Sequence, residues 1–309
     1  MSLIAVIAIS CQLSSALSSA GGAQRIDDSL RTHIENRIAQ VAGATVGVAF
    51  RDLSRGDTLF IAADERFHAA STMKVPVMIE LFRQIDRHRL GLDQRLELKN
   101  EFSSIVDGSS YTLNAADDSD SLVYSWVGTK VSIHDLLEHM ITRSSNLATN
   151  TLIGLVGAQA ANATAHTLGA RHIQVLRGVE DGKAYEAGMN NMTTARDLAT
   201  LMAAIETGVA ASRASTDSMR AVLLRQQFND EIPAGLPPGT RVAHKTGQIT
   251  GHLHDAAIVY PQRRGPYVLV VLTRGIEDEK VARALIADIS RLVYEHATRG
   301  AGTSAGAGR

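Results

Sequence analysis

The chain has 309 residues, 45% of them hydrophobic and 20% charged, with a formal net charge of −1. That balance supports an ordinary soluble core in two lobes or one large α/β unit. With no Lys/Arg run long enough to track phosphates, it argues against nucleic-acid binding. The single cysteine, Cys11, excludes an intramolecular disulfide.

In chain order, MSLIAVIAIS is apolar and CQLSSALSSAGGAQ is small and polar, the order of a secretory signal and its cleavage zone. Residues 1–23 are therefore expected to be a signal peptide, cut after Ala20 or Ala23, and the protein to be exported to the periplasm or secreted. The apolar run is too short to span a bilayer. Lipid anchoring at Cys11 is the lesser alternative, because Ala8 stands where a lipoprotein box carries a larger aliphatic residue.

Leu30, Ile34, Ile38 and Val41 recur at helical spacing over 27–41. TVGVAFRD and DTLFIAAD read as two strands joined at SRG, a hairpin. RFHAASTMKVPVMIELF (66–82) then brings Ser71 and Lys74 to the start of an apolar helix. The pattern weakens from Gly91 to Lys130, where DDSDS (117–121) reads as an exposed loop. VSIHDLLEHM is helical, with Ser132 as its N-cap and Asp135 near its start. Helical texture continues through 146–156 and 158–168, whereas RGVEDGKAYEAGMNN (177–191) reads as a long surface loop, a kind that is often functional. Thr193 or Thr194 caps a helix reaching about Thr207, and another covers 214–227. Three strands follow, in RVAHKTGQ, HDAAIVYP and PYVLVVLTR, and then a helix from about Glu277 to Thr298. This order predicts an α/β (α+β) fold in which an antiparallel sheet lobe flanked by helices (24–70 and 212–300) receives an inserted all-helical lobe (71–211), with a flexible tail at 301–309.

Ser71 and Lys74 are three apart and share a helix face. A lysine there can reach the serine hydroxyl and, once desolvated or set beside another cation, accept its proton. The pattern alone is weak, since a chain this long meets it about once by chance. Ser144-Ser145-Asn146, between two helical segments, and Lys245-Thr246-Gly247, on the first C-terminal strand, are each unremarkable as tripeptides. Their order and contexts change that. SxxK, SDN and KTG are the motif set of class A β-lactamases and penicillin-binding proteins, and the sequence resembles a class A β-lactamase-type serine hydrolase over nearly all of the presumed mature chain. RFHAASTMKVPVM resembles the nucleophile helix of that family, HDLLEHMITRSSNLATNTLI its SDN helix pair, NNMTTARDLATLM the segment leaving its omega loop, and LPPGTRVAHKTG its third motif.

The resemblance implies a serine β-lactamase-like fold with Ser71 as the acylated nucleophile and Lys74 as its proton-handling partner. It also implies that Ser144 relays a proton to the leaving nitrogen and that Asn146 holds the substrate's amide side chain. Lys245 and Thr246 would bind the substrate carboxylate, with Gly247 completing the motif. The backbone N–H groups of Ser71 and Gln248 would form the oxyanion hole, and Asn150 would brace the omega loop. Two departures stand out. The middle residue of the second motif is Ser145 instead of aspartate. The ExELN string carrying the deacylating glutamate is absent. Arg177 and Asn191, taken as partners bracketing the loop, favour Glu180 by distance, and the ExxxN spacing to Asn190 favours Glu186. Glu180 is preferred, and the bland alternative, two exposed loop carboxylates, would leave a slow deacylator.

His252, His254 and Asp255, and the string HDLLEH from His134 to His139, suggest metal ligation, but no CxxC or HxxxH string accompanies them. No metal and no cofactor is expected. Arg213, Arg220 and Arg274 are candidates to assist with the substrate carboxylate, and packing is the expected role of Tyr111 and Trp126. The expected activity is opening of β-lactams through a Ser71 acyl-enzyme by a monomer. The alternatives are a D-alanyl-D-alanine carboxypeptidase or esterase on the same scaffold, acting on a peptidoglycan-like substrate, and a slowly deacylating penicillin-binding module.

Overall fold

The computed structural model describes residues 28–299. The signal segment expected at 1–23, with Cys11, and the tail expected at 301–309 lie outside the described residues.

Five antiparallel strands make the sheet: β1 (Thr45–Asp52), β2 (Thr58–Ile61), β3 (Arg241–Ile249), β4 (His252–Tyr260) and β5 (Tyr267–Arg274), in the order β2-β1-β5-β4-β3. The hairpin expected at SRG is the β1–β2 pair. Its neighbour β5 comes from the far end of the chain and runs against β1 in register from Thr45 with Arg274 to Asp52 with Tyr267. Strands this uniformly apolar must be covered on both faces. Along β5, Val268, Val270 and Leu272 enter one hydrophobic cluster, while Tyr267, Leu269 and Val271 enter another.

The second cluster is closed by α1 (Asp28–Ala39), through Leu30 and Ile34, and by the last helix, through Leu285, Ile286, Ile289 and Val293. The first cluster runs from the sheet into α2 (Lys74–Asp86), α3 (Ile133–Thr142), α4 (Asn146–Val156) and α5 (Ala158–Thr167). A five-residue helix, α6 (Gly182–Glu186), follows inside the loop 177–191. Then come α7 (Ala195–Glu206), α8 (Arg213–Leu223) and finally α9 (Glu279–Thr298). The caps read from the sequence are present: Ser132 Oγ accepts the Asp135 N–H at 3.0 Å, and Thr194 Oγ1 accepts that of Asp197 at 3.1 Å.

Helix α2 is the buried axis of the helical region. Every residue from Lys74 to Phe82 is buried, and Pro76 falls in the first turn, where its missing N–H would have had no intrahelical partner. A 3₁₀ turn, Ala70–Met73, precedes α2 and carries Ser71. Two expectations need correction. The stretch 117–121 is not simply an exposed loop, because Asp118 and Asp120 are only 8% and 3% exposed. Each is drawn inward by a partner: the start of α4 for Asp118, and for Asp120 the ring of His139, whose Nδ1 lies 2.5 Å away. The loop 177–191 is not wholly irregular either. Asp181 caps α6 by accepting the Ala184 N–H at 3.1 Å.

Candidate active site

Three segments of positive φ bring the site together. Six residues other than glycine have positive φ among the described residues, and three of them, Ala70 (44°), Ser144 (59°) and Glu180 (60°), stand at Ser71, at the second motif and in the 177–191 loop. Strained backbone of this kind persists where the surroundings over-determine it. At Ala70 the turn is held by His68, whose Nδ1 accepts the Ala70 N–H at 3.0 Å. Burial, with the charges of Arg177 and His252, pulls the His68 ring down to about 4 and keeps it a neutral acceptor.

Lys74 is fully buried, and its Nζ lies within hydrogen-bond distance of Ser71 Oγ (3.0 Å), Ser144 O (2.6 Å), Ser144 Oγ (3.1 Å) and Asn146 Oδ1 (3.1 Å), more oxygens than its N–H groups can serve at once. Burial first and the charge of Lys245 second hold this ammonium well below the ordinary lysine range, against the opposing pull of Asp118 and Glu180. Lys245, also fully buried, reaches Ser144 Oγ at 3.0 Å and the Thr246 carbonyl at 2.8 Å. Burial pushes it down to about 7, with Asp255 and Glu231 pulling the other way. Ser144 Oγ thus bridges two lysines.

The third motif approaches the nucleophile closely because its last residue has no side chain. A Cβ on Gly247 would lie 3.1 Å from Thr72 N and 3.2 Å from Ser71 N. Strand β3 is a sheet edge, and this contact lays it along the turn that carries Ser71. Ser71, Asn146 and Gln248 line both halves of one cleft. The half with Ser144 and Thr246 has a volume of about 560 Å³, and the half with Glu180 and Asn191 about 610 Å³, within the usual range for small-molecule sites.

The 177–191 loop is tied at its neck. Asn191 Oδ1 accepts the N–H groups of Leu176 (2.8 Å) and Arg177 (3.2 Å), while the Arg177 guanidinium donates to Met189 O (2.9 Å) and Asn190 Oδ1 (3.0 Å). Asn150 braces the loop from α4, its Oδ1 accepting from Val179 N at 2.6 Å and its Nδ2 donating to Val179 O at 3.0 Å. This bracing brings the Glu180 carboxylate to 2.6 Å from Asn146 Nδ2, in the cleft that holds Ser71. Burial raises its pKa; the Asn146 hydrogen bond lowers it, Asp118 and Asp117 raise it and Lys74 lowers it. Glu186, at the end of α6, lines neither half of the cleft.

Gly178 is what lets Asn150 in, since a Cβ there would sit 2.5 Å from Asn150 Oδ1. Gly178→Ala is expected to cost about 1–3 kcal/mol by overpacking, and to slow release of an acylated serine more than its formation, because Glu180 is two residues away. Thermal melts and single-turnover kinetics check this, and an unchanged melting temperature with unchanged release would contradict the bracing role.

Several residues lie away from the cleft. Arg274 pairs with Glu65 at 2.6 Å, and Arg220 is held by Glu206 and Asp217. Neither they nor Arg213 lines the cleft; the arginine beside Thr246 and Gln248 is Arg283, which reaches Glu231 Oε1 at 3.4 Å and Glu279 Oε2 at 3.1 Å. Sequence reasoning missed Arg283 because it sits one turn into α9 with no motif around it. It also missed Glu231, buried in the cleft wall and pushed up to about 7 by burial and then by Asp255. His254 and Asp255 do not converge on a common ligand: His254 Nε2 lies 2.9 Å from His68 O, while Asp255 faces His244 Nδ1 at 3.0 Å. Tyr111 hydroxyl accepts from Asn150 Nδ2 at 3.3 Å, and Trp126 packs edge-on against His139.

A buried lysine on a serine hydroxyl, a second lysine across a bridging serine and a carboxylate opposite, on an antiparallel sheet with helices on both faces, are the fold and site of a serine hydrolase. The chain belongs to the Beta-lactamase enzyme family, whose model matches residues 29–297. It is 26% identical over 269 residues to a β-lactamase of Streptomyces albus G, covering 84% of this chain and 83% of that relative. Among solved structures it resembles the β-lactamase of Sphaerobacter thermophilus (31% identity, TM-score 0.75, 87% and 97% of the two chains). It also resembles a mutant of PBP-A solved as an acyl-enzyme complex with penicillin G (29% identity, TM-score 0.77, 88% and 97%). No helix among the described residues is long and apolar enough to cross a membrane.

Proposed function

We propose that this protein opens β-lactams through an acyl-enzyme on Ser71 and hydrolyses that intermediate. The observation that carries the reading is the buried Lys74 Nζ at 3.0 Å from Ser71 Oγ, in a setting that favours its neutral form. Neutral Lys74 takes the hydroxyl proton as Oγ attacks the lactam carbonyl. The backbone N–H groups of Ser71 and Gln248 receive the developing oxyanion, and a donor of this kind is worth about 10²–10³ in rate. Ser144 Oγ, in hydrogen-bond reach of both lysines, hands its proton to the departing nitrogen and receives in its place the one that Lys74 took from Ser71, which returns Lys74 to the neutral form. Lys245 and Thr246 hold the substrate carboxylate, and Asn146 its amide side chain. Glu180 then acts as base on the water that frees Ser71.

The likeness to a PBP-A acyl-enzyme with penicillin G supports the acylation half, and Glu180 on Asn146 supports the hydrolytic half. In the same reading Ser71 lies at the seam of a sheet lobe (24–70 and 212–300) and a helical lobe (71–211), and a monomeric chain is exported by its first 23 residues. The discriminating experiment is turnover of a chromogenic cephalosporin with intact-mass measurement. Sustained turnover is expected. A single burst with a lasting Ser71 adduct would move the reading to a penicillin-binding protein or peptidase, and neither turnover nor adduct would overturn it.

A further inference from the structure

The second motif lacks a carboxylate of its own, yet one stands where it would act. Asp118 Oδ2 accepts the backbone N–H of Asn146 at 2.8 Å and that of Leu147 at 3.1 Å, and Ser145 Oγ lies 3.4 Å away. The Asp118 Oδ1 atom accepts the Asp120 N–H at 3.0 Å, which holds the side chain in this orientation. Ser145 Oγ itself caps α4 by accepting the Ala148 N–H at 3.2 Å. The first three N–H groups of α4 are therefore all taken, two by a carboxylate from a loop 28 residues upstream. A negative charge at a helix N-terminus is favourable, and the free donors there need a partner when buried.

We propose that Asp118 is a positioning residue for the reaction: it supplies from another loop of the same chain the carboxylate that Ser145 does not carry, and by fixing the first turn of α4 it keeps Ser144 and Asn146 on Lys74. This rests on the roles given above to Ser144 and Asn146. Both reach Lys74 Nζ at 3.1 Å and flank Ser145 directly, so a shift in that turn moves both groups from the lysine together. Ser144, with φ of 59°, is held in the left-handed region by its surroundings and would leave it if the turn loosened. The charged groups that act on Lys74 are Lys245, Asp118 and Glu180. Asp118 stabilises the ammonium form, so its loss would let acylation persist to lower pH even as the rate at the optimum falls.

The exchange test moves the carboxylate. Asp118→Asn, and the double variant Asp118→Asn/Ser145→Asp, are compared with the unaltered chain in two measurements: amide hydrogen exchange over 144–150, and labelling of Ser71 by a fluorescent penicillin across pH. Asp118→Asn is expected to speed exchange in the first turn of α4 about 10-fold, the size of a lost cap, to slow labelling at least 10-fold and to move its acid limb downward. The double variant is expected to reverse all three, since an aspartate at 145 starts the helix as a cap and faces residue 118. Unchanged exchange and labelling in Asp118→Asn, or no recovery in the double variant, would overturn the proposal. If Asp118→Asn does not fold, recovered folding with labelling in the double variant supports the proposal, and failure to fold counts against it. An unaltered chain that takes no label defeats the β-lactam reading alone, because the exchange measurement still decides the role of Asp118.

Discussion

Replacing Lys74 by methionine is expected to slow acylation of Ser71 by roughly 10²–10⁴-fold, the usual worth of a general base, or about 3–5 kcal/mol of barrier. Methionine keeps the apolar stem but removes the nitrogen that lies 3.0 Å from Ser71 Oγ. The other candidate bases beside the cleft are turned elsewhere: Lys245 Nζ is engaged with Ser144 Oγ and the Thr246 carbonyl, and Glu180 with Asn146. The pH dependence has a definite sign. The base form of Lys74 is the neutral one, so acylation falls as pH falls through its depressed pKa, and burial together with Lys245 puts that limb well below the ordinary lysine range. Stopped-flow acylation with a melting curve checks the point. A folded variant that acylates within a few-fold of the unaltered chain would remove Lys74 from the mechanism.

Glu180→Gln is expected to leave acylation within a few-fold and to slow deacylation by roughly 10²–10⁴-fold, so that a Ser71 adduct accumulates and survives to mass spectrometry. Glu186→Gln is expected to change neither step, because Glu186 lies at the end of α6 and lines neither half of the cleft. Glutamine retains the acceptor that Asn146 Nδ2 uses but cannot take a proton from water. Burial and the nearby aspartates raise the Glu180 pKa above the ordinary value, and the working form is the carboxylate. Deacylation should therefore be lost on acidification at a higher pH than an unperturbed glutamate would give. A Glu180→Gln variant that turns over as fast as the unaltered chain would send the search for the deacylating base elsewhere.

The local rules carried far. Apolar runs after LPPGT predicted β3, β4 and β5, a hydroxyl before a periodic stretch predicted caps at Ser132 and at Thr193 or Thr194, and a spacing of three put Ser71 and Lys74 on one face. These depend on neighbours in the chain, which a sequence displays. The two apolar clusters also follow from the alternation along β5, once it is granted that strands apolar at every position are covered twice.

What tertiary structure decided is of another kind. Asp118 looked like part of a solvated acidic loop because its partners, the N–H groups of Asn146 and Leu147, are exposed only by a helix start 28 residues on. Arg283 came to the cleft, while Arg220 and Arg274 were drawn to carboxylates elsewhere, since a long cation is placed by whichever acid the fold brings near. Glu180 and Glu186 sit six residues apart in a loop with no periodicity. The neck formed by Arg177 and Asn191, the Asn150 brace and the missing side chain at Gly178 set which one faces the cleft. The sequence alone determined the nucleophile helix, its motifs and the layers around them, because those are short-range patterns. The packing determined which charges the site sees, because electrostatic partners are chosen by distance in space and not by distance along the chain.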